Sequence, residues 1–279
     1  MIDAHVHVWD LAAREQGWIP PGSPIRRTFT LADLRSALAG TAVEQVVLVQ
    51  VINDADETAD FLRLAAQDDV VAGVVGWADV ASPQFAQVLA ALTATGRLVG
   101  VRHQALTEAD PAGWLSSRAV RRGLADLERA GLPFDLIVRP EHFSAVAAVA
   151  RAHPSLWLVL DHLGKPPIAS GELEPWARGL RQLADLPNLS CKLSGLHTIA
   201  APGWTYPDLA PFLDVALTSF GPDRILFGSD WPVCTQAASY VEAVDVARNA
   251  CVNLTPAEQS AVLGHNARRI YRLRRRPLS

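Results

Sequence analysis

In the opening segment MIDAHVHVWD, His5 and His7 are separated by a single residue. On a β-strand that spacing turns both imidazoles to one face, where they can share a cation or a proton. Further ionisable groups stand where apolar, β-branched runs end: Arg102 and His103 in LVGVRHQ, Asp161 and His162 in LWLVLDHLG, Lys192 and Ser194 in NLSCKLSGL, and Asp230 in RILFGSDWP. Such groups are costly to bury unless they pair with one another or bind a metal. Leu226, Gly228 and Asp230 alternate onto one face, so Asp230 points inward if Leu226 belongs to the core; a turn or N-cap role is the alternative. A carboxylate set among imidazoles is suited to general base chemistry and to metal ligation. Alternation separates Asp161 from His162 and Arg102 from His103. His162 is read as the site residue, Asp161 as a partner to neighbouring backbone or to a group behind the site, and His103 taken singly as a hydrogen-bonded core residue. Cys191 faces away from Lys192 and no G-x-S-x-G elbow is present, which argues against a covalent nucleophile.

Holding these strand ends together requires a particular set of elements. Eight apolar runs, at 2–8, 43–51, 70–80, 98–104, 133–139, 157–164, 188–196 and 224–232, alternate with amphipathic segments such as 30–40, 57–67 and 141–153. Strand and helix in strict alternation predict a parallel sheet with crossover helices, and eight units predict a closed (β/α)8 TIM barrel, α/β in class, within one domain over 1–279. A doubly wound sheet would carry a Gly-rich turn after the first strand, and none is present. TPAEQSAVLGHNARRIYRL, residues 255–273, predicts an extra C-terminal helix, with Thr255 as cap, Pro256 in the first turn and Glu258 closing a capping box. Residues 9–29, with Trp9, Trp18 and three prolines, predict a long loop suited to a lid over the barrel mouth.

Composition excludes several classes. The 279 residues are 49% hydrophobic and 19% charged with a net charge of −4, which fits a folded globular protein and offers no basic groove for nucleic acid. The one dense basic run, RLRRR at 272–276, reads as a solvated tail. Three scattered cysteines make no disulfide framework and suit a reducing cytoplasm. No signal stretch or apolar run of membrane-spanning length is present, so the expected partner is a small molecule, with the protein a monomer or homodimer.

Taken together, IDAHVHVWD, GVRHQ, LPFDL, DHLGKP, KLSGL, ILFGSDWP and GHNARRIYRL resemble the amidohydrolase superfamily over nearly the whole chain, in particular its amidohydrolase 2 branch of sugar lactonases and 2-pyrone-4,6-dicarboxylate lactonase. The resemblance is greatest to the L-fuconolactonase and L-rhamnonolactonase type, in which water opens a sugar-acid lactone. It implies a central site of His5, His7, His162 and Asp230, with Asp230 as acid/base and with His162 and His103 assisting at the carbonyl. It also implies that Arg102, His103, Lys165 and Lys192 lie near substrate, where Trp9, Trp77 and Trp231 could stack on a sugar ring. Metal-rich superfamily members take a histidine from strand 5 and a carboxylated lysine from strand 4. Here those strands read PFDLIVR and VRHQ, which argues against two metals. One divalent ion, zinc first, or a metal-independent site are the alternatives. Metal-dependent decarboxylases and hydratases of acidic ring-cleavage products share the architecture and form the competing function class.

Overall fold

The computed structural model describes residues 1–274. Eight parallel strands follow one another in the order of the chain: β1 (Ile2–Val6), β2 (Gln45–Val49), β3 (Val71–Gly76), β4 (Leu98–His103), β5 (Phe134–Leu136), β6 (Leu158–Leu160), β7 (Leu189–Leu193) and β8 (Ile225–Phe227). The expected TIM barrel is therefore present, and the sequential order excludes the doubly wound alternative. Each strand is shorter than the apolar run that announced it, because the run's last residues leave the ladder to form the mouth of the barrel.

β1 and β8 close the ring. Val6 bridges Trp231 in parallel, His7 N–H donates to the Trp231 carbonyl at 2.7 Å, and Asp230 N–H donates to the His5 carbonyl at 2.9 Å. Asp3 pins the seam, its Oδ1 accepting from Ser229 N–H at 2.9 Å and its Oδ2 from the Tyr240 hydroxyl at 2.9 Å. Gly228 lets the strands approach, since a Cβ there would lie 2.6 Å from His5 Cβ.

Alternation divides each strand between two layers. Ala4, Val47, Val49, Val75, Val159 and Leu226 fill the lower interior, while Val46, Leu48, Val74 and Leu158 face the surrounding helices. Ala267, Ile270, Tyr271 and Leu273 join the interior group, so the C-terminal segment seals the base. That segment is not the continuous helix expected over 255–273. An α-helical turn at Pro256–Ser260, capped by the predicted Thr255–Glu258 box, passes through a π-helical turn at Ala261–His265 into Asn266–Ile270. The interruption falls at Gly264, which runs against Ile2 of β1. Of the basic run at 272–276, residues 275 and 276 lie outside the described residues.

Helices Leu31–Leu38 and Ala55–Gln67 begin on side-chain caps from Thr30 and Asp54. The segment between β1 and Leu31 contains no helix, as expected, and an antiparallel bridge between Trp9 and Phe29 ties its base. Beneath it Glu57 is buried, its carboxylate accepting from Val51 and Ile52 N–H, and burial pushes its pKa up to about 7. A carboxyl that keeps its proton longer when folded adds stability below its unfolded pKa and loses it as pH rises through the folded value. Glu57→Gln is thus expected to flatten the fall in unfolding free energy between about pH 4.5 and pH 7, as read by urea denaturation at several pH values.

Candidate active site

His5 and His7 meet at their Nε2 atoms, 3.2 Å apart, and Asp230 Oδ1 lies 3.7 Å from the first and 3.3 Å from the second. Simple alternation from Ile2 and Ala4 would turn His5 outward. The β1–β2 register shifts between Asp3 and Val6, and this irregularity rotates the histidines into the barrel. His7 Nδ1 lies 2.7 Å from the Val49 carbonyl, which can only accept, so the proton sits on Nδ1 and Nε2 carries a lone pair. Arg102 Nη1, which can only donate, stands 3.4 Å from His5 Nε2 and requires a lone pair there as well. With His5 also protonated at Nδ1, two lone pairs and a carboxylate oxygen converge on one space.

That donor set fits one divalent cation. Nitrogen and oxygen ligands from two neutral imidazoles and one carboxylate suit zinc and leave positions open for water or substrate. A second grouping, His5 with Asp161 and His162, is also compact enough. Its carboxylate, however, is already paired with Arg102 at 3.0 Å and Lys192 at 3.0 Å, so the cation's place there is taken.

His162 arrives by an unusual route. Asp161 follows Val159 on the inward face, and alternation would turn His162 outward. Instead the chain after β6 enters the left-handed region, with φ values of 54° at His162, 52° at Leu163, 66° at Gly164 and 55° at Lys165. The Trp176 indole donating to the Leu163 carbonyl at 2.8 Å ties this turn down, and the Ser194 hydroxyl lies 2.8 Å from His162 Nδ1. His162 then packs against His5, ring centroids 4.7 Å apart. Asp230 is also left-handed, at φ 60°. Non-glycine residues held there signal local strain kept by surrounding contacts, and such strain gathers at functional sites. Gly195, at φ +64°, makes room for both side chains: a Cβ there would lie 2.7 Å from His162 Nδ1 and 2.9 Å from Asp230 Oδ2.

Electrostatics separate the roles of these groups. Burial would raise the Asp230 carboxyl, but the three facing imidazoles outweigh it and hold the group below the usual carboxylate range. Burial lowers His162 to about 4 against the pull of Asp230 and Asp161, so its imidazole is neutral near pH 7. A cavity of about 200 Å³ opens over them, lined by His7, His162, Lys165 and Asp230 with Trp18 and Gln104 at the wall. Burial lowers the Lys165 ammonium, with Asp230 opposing the shift.

Of the other expected site residues, Arg102 also lines the cavity and the rest lie elsewhere. Arg102 faces inward, but its guanidinium is engaged by Asp161 and by the side chain and carbonyl of Gln50. His103 is on the opposite face, as alternation requires. It stacks on Trp114 at 4.0 Å, accepts from the Trp77 indole at 3.0 Å and meets Glu108 at 2.8 Å, so neither His103 nor Trp77 reaches the cavity. Lys192 is wholly buried under His5, bonded to Asp135 at 2.5 Å, and cannot touch a ligand in the cavity. Trp9 and Trp231 pack on Phe29 beneath the loop. The tryptophan on the cavity is Trp18, 42% exposed, from the predicted lid loop. Asp135 and Gln50 were not singled out by sequence; a carboxylate inside the apolar run PFDLIVR was the available signal.

Known proteins place this geometry in context. The Amidohydrolase family model matches residues 2–273. An L-fucono-1,5-lactonase from Burkholderia multivorans is 40% identical, the match covering 98% of this chain and 96% of that protein, and one from Burkholderia ambifaria is 36% identical with the same coverage. A crystal structure of a Burkholderia multivorans amidohydrolase with bound zinc superimposes with a TM-score of 0.93 at 38% identity, over 98% of this chain and 99% of the other.

Proposed function

The chain belongs to the amidohydrolase family, and from that premise we propose that it hydrolyses a sugar-acid lactone of the L-fucono-1,5-lactone type, with Asp230 as the base. The observation that carries the reading is an ionised carboxylate set among His5, His7 and His162 on the wall of a small cavity, in a chain so similar to L-fucono-1,5-lactonases. Water attacks the lactone carbonyl, and the Asp230 carboxylate accepts its proton. The same carboxyl then returns that proton to the departing ring oxygen. An alkoxide leaves more readily than an amide nitrogen, so one base with modest electrostatic help suffices.

Lys165 supplies part of that help. It stands on the cavity wall, partly desolvated, where its charge opposes the negative charge that grows on the carbonyl oxygen and persists on the product carboxylate. Neutral His162, oriented by Ser194, presents a polar edge to the same region. Trp18 offers a flat apolar surface at the mouth, fitted to the less polar face of a sugar ring. Held by His5, His7 and Asp230, a zinc ion would supply Lewis-acid polarisation and a more acidic water.

An indicator assay of acid release across a lactone panel tests the substrate class. Turnover of L-fucono- or L-rhamnono-lactone, with none of 2-pyrone-4,6-dicarboxylate, is expected, and the reverse preference would overturn the reading. Chelated protein, shown metal-free by elemental analysis, is expected to lose turnover and regain it with zinc. Full activity without metal would instead assign the imidazoles to hydrogen bonding.

A further inference from the structure

Beneath the proposed site lies a buried polar layer that the reaction above does not use. Lys192 Nζ, from β7, sits 2.5 Å from Asp135 Oδ2 of β5, 3.0 Å from Asp161 Oδ1 and 3.1 Å from His5 Nδ1. Tyr271, from the segment that seals the barrel base, donates its hydroxyl to the same Asp135 oxygen at 2.7 Å. All five side chains are buried.

We infer that this layer sets the tautomer of His5: Asp161 and Lys192 compete for Nδ1, and Asp135 with Tyr271 holds the ammonium so that Asp161 prevails. His5 Nδ1 has two neighbours with opposite demands. Asp161 Oδ1, at 3.3 Å, can only accept, and the Lys192 ammonium can only donate. One nitrogen cannot satisfy both. When Nδ1–H donates to Asp161, Nε2 turns a lone pair toward His7 and Asp230 and is ready for a cation. When Nδ1 instead accepts from Lys192, the proton moves to Nε2 and occupies the space between the imidazoles, where a cation would sit.

As placed, Asp161 Oδ1 makes no hydrogen bond and Lys192 is the nearer neighbour of Nδ1, yet two features favour the first state. Arg102 Nη1, 3.4 Å from Nε2, has only protons to offer and needs the lone pair. Asp135 engages solely through Oδ2, shared by Lys192 and Tyr271, while its Oδ1 has no hydrogen-bond partner among the described residues. That carboxylate is committed to drawing the ammonium down toward the base, away from the imidazole. Asp135, Lys192 and Tyr271 are thus positioning residues that act through His5, and outer partners of this kind are a general means of fixing a ligand's tautomer.

The zinc arm of the test rests on the cation-binding reading above; the ring arm does not. In metal-free protein labelled with 15N-histidine, long-range proton–nitrogen spectra are expected to show His5 protonated at Nδ1. Asp135→Asn should loosen the ammonium, move His5 toward the Nε2–H form and weaken zinc binding about tenfold in competition with a chromophoric chelator. Lys192→Met should keep the Nδ1–H form. The double variant Asp135→Asn/Lys192→Met, which leaves neither partner as an unpaired buried charge, should restore both the Nδ1–H form and the affinity. If Asp135→Asn does not fold, Tyr271→Phe removes the hydroxyl that holds the Asp135 carboxylate against Lys192 and should shift His5 in the same direction. The inference is overturned if His5 of the unaltered protein is protonated at Nε2. It is equally overturned if loss of the Asp135 or Tyr271 contact leaves the ring spectra unchanged, since a bare field effect would alter zinc affinity without moving the proton. Should no form bind zinc, the cation reading of the site falls, and the spectra still decide the tautomer.

Discussion

Asp230→Asn is expected to lower kcat for lactone opening by about 10²–10⁴-fold, the range for loss of a positioned general base. Asparagine keeps the shape of the side chain and, like aspartate, tolerates the left-handed backbone at this position, so the fold and the β1–β8 seam should persist. The carboxamide has no basic oxygen to take a proton from water. Because the acid form of Asp230 is disfavoured by the three imidazoles around it, the proposed base is ionised at neutral pH, and asparagine cannot replace it. Steady-state kinetics with circular dichroism and the unfolding midpoint as controls check this. Near-normal turnover in folded protein would remove Asp230 from the chemistry.

Asp161→Asn should have the largest effect on stability, about 3–5 kcal/mol, as is usual when one member of a buried ion group is removed. Asp161 has no solvent exposure and lies against Arg102, Lys192 and His5. Without its charge, Arg102 keeps no carboxylate partner among the described residues and Lys192 keeps only Asp135. Burial opposes ionisation of Asp161, but Lys192, His5 and Arg102 outweigh it and hold the carboxyl well below the usual range. A carboxyl depressed in this way stabilises the fold above its unfolded pKa and ceases to do so as pH falls through the folded value. Urea denaturation near neutral pH should therefore show the full deficit of the variant, and the gap from the unaltered protein should close in strong acid.

The fold was legible because one pattern repeats eight times. Each β-branched run, though longer than its strand, announced a strand in the correct order, and the caps at Thr30 and Thr255 sit where their side chains suggested. The convergence of His5, His7, His162 and Asp230 was legible too, since all four stand at strand ends on the face where this architecture opens. The path of His162 was not: alternation selects Asp161, and only a left-handed turn, fixed by the distant Trp176, brings His162 in. His103 and Lys192 show the opposite limit. Their positions along the strands were correct, but the pocket formed by Trp77, Trp114 and Glu108 holds the first, and a buried carboxylate holds the second. Such partners come from elements far along the chain, and no local spacing reveals them. The same holds for the aromatic rim, where loop packing turned Trp18 to the cavity and Trp9 beneath it.

The seam between β1 and β8 joins Asp3 to Ser229, residues 226 positions apart. His5 and His7 lie on one side of that junction and Asp230 on the other, so no fragment ending before β8 can hold Asp230 beside the imidazoles. Contacts of such long range are slow to form. A chain emerging from the ribosome therefore cannot gather these side chains until residue 230 has been made and β1 has met β8.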